Sequence, residues 1–468
     1  MLRESTTHEG ECVVTVSETI GSWLESVKYS NLPREIVYIA KRSILDCIGT
    51  GLAGSVQPVG HILSRYLHEI GGPKQCTVIG LGLKTSCIEA AMVNGTMSHY
   101  LDYDDLVIPA VGAGGPHITA AVLPAALAIA EREKKTGKEL ILAYVLGCET
   151  AYRIGRAVDP THYNAGWHTT GTEGIFGATV AASKLLNSRQ EETAYALGIA
   201  ASEASGLREN FGTMTKPFHA GQAAAKGVRA ALLSRLGFTS SKSILEGKTG
   251  FCNVFSKDPK PTEITKDLGQ FHCMPQLRLK LYPCCAGSHS AIYATMQLVK
   301  EHNPDSNDIE SVNVRGDPQM AEVLVYDSPR TATEAKFSLQ FPLALALSGK
   351  KVTLNEFTDD QVTAPPMVTL MSRVKLTPEP ELRAKSVHAR AAIVEINLRD
   401  RTQLVNRCDY PPGTPENPIS ENDILEKYKT CARLALAEEN VQESLEAILN
   451  LEEVQDIGKL LEVIRPNH

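Results

Sequence analysis

A mostly α-helical protein, with a large all-helical domain and a smaller α+β unit, is what this sequence predicts. Three observations predict it: helical periodicity runs from Val14 to about Gly250, the patterning changes after about Lys280, and amphipathic helix returns after Pro418. At 468 residues the chain exceeds the ~250–300 at which single cores usually stop growing, so two domains are expected.

The first elements are set by spacing. Ile20, Trp23, Leu24 and Val27 recur on one helical face, as do Val37, Ala40, Ile44, Leu45 and Ile48, a run expected to stop at Gly49 and Gly51. Ala90–Tyr100, Ala120–Lys135 and Glu139–Val158 follow, apolar or small on most faces. Helices of that kind are buried among other helices, and their Ala and Gly content permits close axial approach. After Lys280, Val312–Arg315 and Ala392–Leu398 alternate as strands do, with shorter helical patterns at Phe337–Leu347 and Gln361–Met371 between them. Tyr410–Pro418 holds four prolines and reads as a linker. Glu421–Ala437 and Val441–Ile464 are amphipathic helix again.

Composition excludes several function classes. A net charge of −7 argues against nucleic acid as the main partner, and an acidic protein that binds an anion must concentrate its cations locally. Eleven cysteines without a CxxC pair read as reduced thiols, mostly core filler. Met1–Val13 carries Glu4, Glu9 and Glu11, which suits neither a secretory nor a transit peptide. No apolar run approaches the ~20 residues needed to span a bilayer, so a cytoplasmic location is expected. Gly80-Leu81-Gly82 lacks the third glycine of a dinucleotide loop.

Four segments carry polar residues that a helical core would not choose. His99-Tyr100-Leu101-Asp102-Tyr103-Asp104-Asp105 ends an apolar helix with three crowded carboxylates, whose repulsion should keep one protonated near neutrality; solvated acids or a metal site are the other readings. Gly114-Gly115-Pro116-His117 delivers a histidine to a helix start, where an anion is favoured, although such a loop histidine can equally lie at the surface. Gly166-Trp167-His168-Thr169-Thr170 joins a histidine to hydroxyls that N-capping alone would explain. In the fourth, Lys216 and His219 are three apart around Pro217, and the neighbouring Phe211, Met214, Pro217 and Phe218 offer the lysine no counter-charge. A bound carboxylate would supply it.

Asp102-Tyr103-Asp104-Asp105, the His117 turn before Val122-Leu123-Pro124, Gly166-Trp167-His168, Thr215-Lys216-Pro217-x-His219-x-Gly221 and Lys280-Leu281-Tyr282-Pro283-Cys284-Cys285 come in the order that resembles the MmgE/PrpD family, over about Ile20 to Leu461. The resemblance implies a discontinuous helical domain, residues 1–278 and 412–468, with an α+β lid at 279–411. It implies a cleft active site without metal or organic cofactor, and a homodimer. Asp102, His117, His168 and Lys216 fall on the catalytic positions, while His219, Lys280, Cys285 and Tyr326 fall to substrate binding. The block Glu334–Gln340 is also family-like and is expected to shape the lid. Two departures stand beside the first acids: a longer loop between Asp105 and His117, and Leu106-Val107 where threonine or histidine is common.

The activities implied are those of a lyase on a small di- or tricarboxylate. Decarboxylation of cis-aconitate to itaconate leads, dehydration of a 2-methylcitrate-type substrate is the alternative, and epimerisation of a dicarboxylate such as iminodisuccinate or a non-catalytic scaffold follow. All three reactions use the same inventory of cations and acid/base groups, with His117, His168 and Lys216 as sources of positive charge or protons.

Overall fold

Residues 14–383 and 390–466 are described by the computed structural model, so the acidic stretch Met1–Val13 lies outside the described residues. The principal helices are α1 (Val16–Ser26), α2 (Arg34–Ser55), α3 (Cys87–Tyr100), α4 (Ile118–Arg132), α5 (Gly137–Val158), α6 (Gly174–Leu185), α7 (Thr215–Arg235), α8 (His289–His302), α9 (Gln340–Leu347) and α10 (Glu421–Ala432). Side-chain oxygens fix several of their starts. Thr15 and Thr136 close capping boxes with Glu18 and Glu139, and Ser86 caps α3.

Helix α3 is buried on nearly every face, packed among α2, α4 and α7. A tight crossing is at Gly95 and Gly221, where a β-carbon on Gly221 would lie 2.1 Å from the Met92 carbonyl oxygen. This crossing brings the end of α3 beside the start of α7, and the active-site candidates sit there. Helix α2 does not stop at Gly49 and Gly51 as its sequence suggests; it continues to Ser55. Those glycines serve packing instead: a β-carbon on Gly49 would press on the Tyr428 ring of α10 at 3.1 Å. Close helix contact outweighs the ~1 kcal/mol cost of glycine in a helix.

Apart from a two-stranded ribbon of Cys76–Thr77 and Lys84–Thr85, the described strands are β1 (Ile309–Gly316), β2 (Val374–Pro378), β3 (Ala392–Leu398) and β4 (Gln403–Cys408), in the sheet order β2-β1-β3-β4. The two alternating segments of the sequence are β1 and β3, paired antiparallel with Val314 opposite Val394, while β2 runs parallel to β1. Two of the shorter helical patterns are trimmed. Phe337–Leu347 is α-helical only from Gln340, and the run through Gln361–Met371 breaks at Ala364, which precedes a proline and is extended. Val441–Ile464 is likewise split into Glu438–Leu449 and Ile457–Val463.

The main hydrophobic core draws on Ile20 through Leu277 and again on Ile419 through Ile464, whereas a second core runs from Tyr282 to Cys408. The chain passes between them twice, and the two passages touch: Gly413, at φ +100°, abuts the Leu279 carbonyl so closely that a β-carbon would lie 1.9 Å from it. No helix among the described residues is long and apolar enough to cross a membrane. The described cysteines are free thiols and nearly all buried.

Candidate active site

At the end of α3 the chain turns through Asp102, which takes a left-handed backbone (φ +51°) that aspartate tolerates better than most residues. Its carboxylate is met by Lys216, from the first turn of α7, on Oδ1 and by Lys280 on Oδ2 at 2.8 Å; the Lys280 ammonium also donates to the Asp102 carbonyl at 2.8 Å. All three side chains are buried. Lys216 therefore has the counter-charge that its own stretch of sequence lacks, supplied by a residue 114 positions away. Burial pushes the Asp102 carboxyl up, but the Lys216 and Lys280 ammonium groups outweigh it and hold the group well below the usual carboxylate range.

Asp104 is the hub of a second arrangement. His99 Nδ1 and His117 Nδ1 each lie 3.0 Å from its oxygens, and His117 Nε2 turns toward Asp102 Oδ1 at 3.8 Å. An Asp104 carboxylate that accepts both Nδ1–H groups leaves both Nε2 atoms as bases. Burial lowers the pKa of His99 to about 3 and lowers that of His117 as well. The acidic cluster thus has the histidine neighbours that its linear spacing hides: His99, Asp104 and His117 present one ligand-type atom each within 4.8 Å of one another. Asp105 is the carboxyl kept protonated, pushed up to about 8, chiefly by burial with Asp46 and Asp104 adding to it; Thr119 Oγ1 donates to it at 2.7 Å. One protonated acid was expected from crowding, yet desolvation is its main cause.

His168 caps the short helix Thr169–Thr172, and its Nδ1 meets His219 Nδ1 at 2.9 Å. Burial lowers both, His219 to about 4. Positive charge at neutral pH therefore rests on the lysines rather than on His117 and His168. A third lysine, Lys336, donates to the Tyr100 carbonyl at 3.0 Å, and burial brings its pKa down to about 8.

These groups open onto a cavity of about 90 Å³. Asp102, His117, His168, Lys216, Lys280 and Cys285 line it. His219 and Tyr326 do not: His219 backs His168, and Tyr326 packs against Gly212. Burial pushes the Cys285 thiol up, and Asp102 adds to this, so it stays protonated. Leu106, Ile108 and Ala113 form an apolar wall from the long loop, and Phe211 and Phe337 flank the Lys216 ammonium at 5.5 and 5.0 Å. Sequence reasoning missed Arg278 and Arg390, which also line the cavity. Arg278 stands two residues before Lys280, a signal that was present in the sequence; Arg390 has no motif around it.

Comparison with known proteins identifies the family. Residues 18–264 match the MmgE/PrpD N-terminal domain and residues 282–453 match the MmgE/PrpD C-terminal domain. The human cis-aconitate decarboxylase is 27% identical over 462 residues, covering 96% of this chain and 95% of the human one. The Aspergillus terreus cis-aconitate decarboxylase is 28% identical over 469 residues, 96% of each chain. A mitochondrial 2-methylcitrate dehydratase of Yarrowia lipolytica is more distant, 24% identical over 87% of this chain and 82% of its own. With both domain matches spanning most of its length, the chain belongs to the MmgE/PrpD family.

Proposed function

We propose that this protein is a cofactor-free lyase that decarboxylates cis-aconitate or a close analogue to an itaconate-type product. One observation carries the reading: an ionised Asp102 held between Lys216 and Lys280 on the wall of the cavity, next to neutral histidines and a protonated Cys285 thiol. In the reaction, CO2 leaves the methylene carbon and its bonding pair forms the new terminal double bond. The old double-bond pair moves to the far carbon, which takes one proton. Charge grows on that carbon and its carboxylate, where Lys216 and Lys280 oppose it. The Cys285 thiol faces the cavity as an acid, and the proton returns from solvent through the histidines. Similarity to cis-aconitate decarboxylases along nearly the whole chain supports the substrate class.

Dehydration of a 2-methylcitrate-type substrate is the second reading, favoured by the neutral imidazoles of His117 and His168, which suit removal of a carbon-bound proton. Incubation with cis-aconitate, 2-methylcitrate and iminodisuccinate, followed by proton NMR, separates the cases: vinylidene signals for decarboxylation, a trisubstituted alkene for dehydration, scrambling for epimerisation. The proposal extends to a helical domain of residues 1–278 and 412–468 under a lid of 279–411, consistent with the two cores, and to a cytoplasmic homodimer.

A further inference from the structure

The cavity has a second cationic wall that the chemistry above does not use. Arg278 and Arg390 both line it; Arg278 is buried at 5% exposure, and Arg390 is partly buried, its side chain 12% exposed. Their positions are built. Arg278 exchanges backbone hydrogen bonds with Leu106 at 2.8 and 3.0 Å, which fixes it beside the apolar wall. Arg390, from the second core, reaches across to the Ala113 carbonyl at 3.4 Å and lies 3.7 Å from Asp317. Burial lowers the pKa of Arg278 to about 9 and the charge of Arg390 adds to this, while Glu416 opposes it; Asp317 likewise opposes the lowering of Arg390 by burial. Two desolvated guanidinium groups lining one small cavity are further stabilised by an anion between them, and arginine's planar fork matches a carboxylate in two-point contact. Arg278 and Lys280 are two residues apart along a non-helical stretch, so their Cα atoms are separated by roughly 7 Å at most. One strip of chain thereby supplies a residue to each cationic pair.

We propose that Arg278 and Arg390 form a second anion subsite, which takes a retained carboxylate of the substrate and selects tricarboxylates over dicarboxylates. This rests on the carboxylate reading above and adds to it which residues recognise the third carboxylate. The lysine wall takes the carboxylate nearest the developing charge, and the apolar residues between leave the departing carboxylate without a cation.

The test uses unreactive probes, so that it does not depend on turnover. Calorimetry with propane-1,2,3-tricarboxylate and with succinate gives Kd for the wild type, Arg390→Met, Arg278→Met and Arg390→Lys. The wild type is expected to prefer the tricarboxylate by at least tenfold. Either methionine variant should bring that preference below about threefold, with succinate affinity within twofold of wild type and Arg390→Lys intermediate. A preference that survives in both methionine variants, or a wild type without one, overturns the subsite; should Arg278→Met fail to fold, the Arg390 pair decides alone. Arginine-dependent tricarboxylate binding without decarboxylation of cis-aconitate would sink the proposed reaction and leave the subsite standing. Decarboxylation without arginine-dependent binding would do the reverse.

Discussion

Two buried acid sites in this protein have opposite electrostatics. Asp102 sits between two lysine ammonium groups and is ionised. Asp159, at the end of α5, and Glu173, at the start of α6, are equally buried but face each other, and among the described residues no cation pairs with them. Burial pushes Asp159 up to about 7, and burial together with Asp159 pushes Glu173 well above the carboxylate range. Burial acts in the same direction on both sites. The counter-charge decides which carboxyl is an anion, and only the ionised one faces the cavity.

The same chemical change, carboxyl to amide, should therefore have opposite results in the two places. Asp102→Asn strands two buried ammonium groups. It should abolish measurable turnover and destabilise the fold by about 3–5 kcal/mol, the range for breaking a buried ion pair; denaturant unfolding and a turnover assay check both. An amide at position 102 that keeps activity would remove the distinction between the sites.

Lys216→Ala comes next. Loss of one electrostatic contact to the developing charge should reduce kcat/KM by about 10²-fold or more. Because Lys216 pairs with Asp102 instead of standing alone, its removal also costs stability, but less than Asp102→Asn, since Lys280 still holds Asp102. A variant that unfolds earlier yet turns over normally would make Lys216 a structural partner only.

Glu173→Gln is the mild counterpart. Near pH 6 the carboxyl already carries its proton, so the amide should change the thermal midpoint little. The sign follows from linkage: a carboxyl whose folded pKa is raised stabilises the fold fully below its unfolded value near 4, and that contribution is lost as pH rises through the folded value. For Asp159 the loss passes through about 7, with Glu173 following at higher pH. Wild type should lose thermal stability as pH rises from about 4 through about 7 and beyond, and Glu173→Gln should lose less; parallel melting curves for the two would contradict the assignment. The smallest effect concerns metal. Asp104 is already engaged by two imidazoles at hydrogen-bond distance, so exhaustive chelation should leave turnover unchanged. Activity lost on chelation and restored by one divalent ion would turn His99, Asp104 and His117 into a metal site.

How legible each region was in the sequence follows the same division. Helices with one strong period were readable, as were β1 and β3, because side-chain alternation reports burial directly. Helix α2 was misjudged at Gly49, since glycine as a packing surface and glycine as a stop look alike along one chain. The motifs named Asp102, His117, His168 and Lys216, and these do line one cavity. What pairs with what was not readable: Lys216 finds Asp102 across 114 residues, and Asp104 gathers histidines from either side of a long loop. Asp159 and Glu173 gave no signal, because an isolated acid in a helical stretch looks solvated until its neighbour is known.

The account turns on a proton delivered to a carbon whose charge the lysines oppose. Incubation of the wild type with cis-aconitate in D2O, followed by proton NMR, measures this most directly. The account predicts two vinylidene signals and a methylene carrying one deuterium, with release of one CO2 per turnover, and signal growth lowered about 10²-fold or more in Lys216→Ala. Unconsumed cis-aconitate, under conditions where 2-methylcitrate loses water, would contradict it.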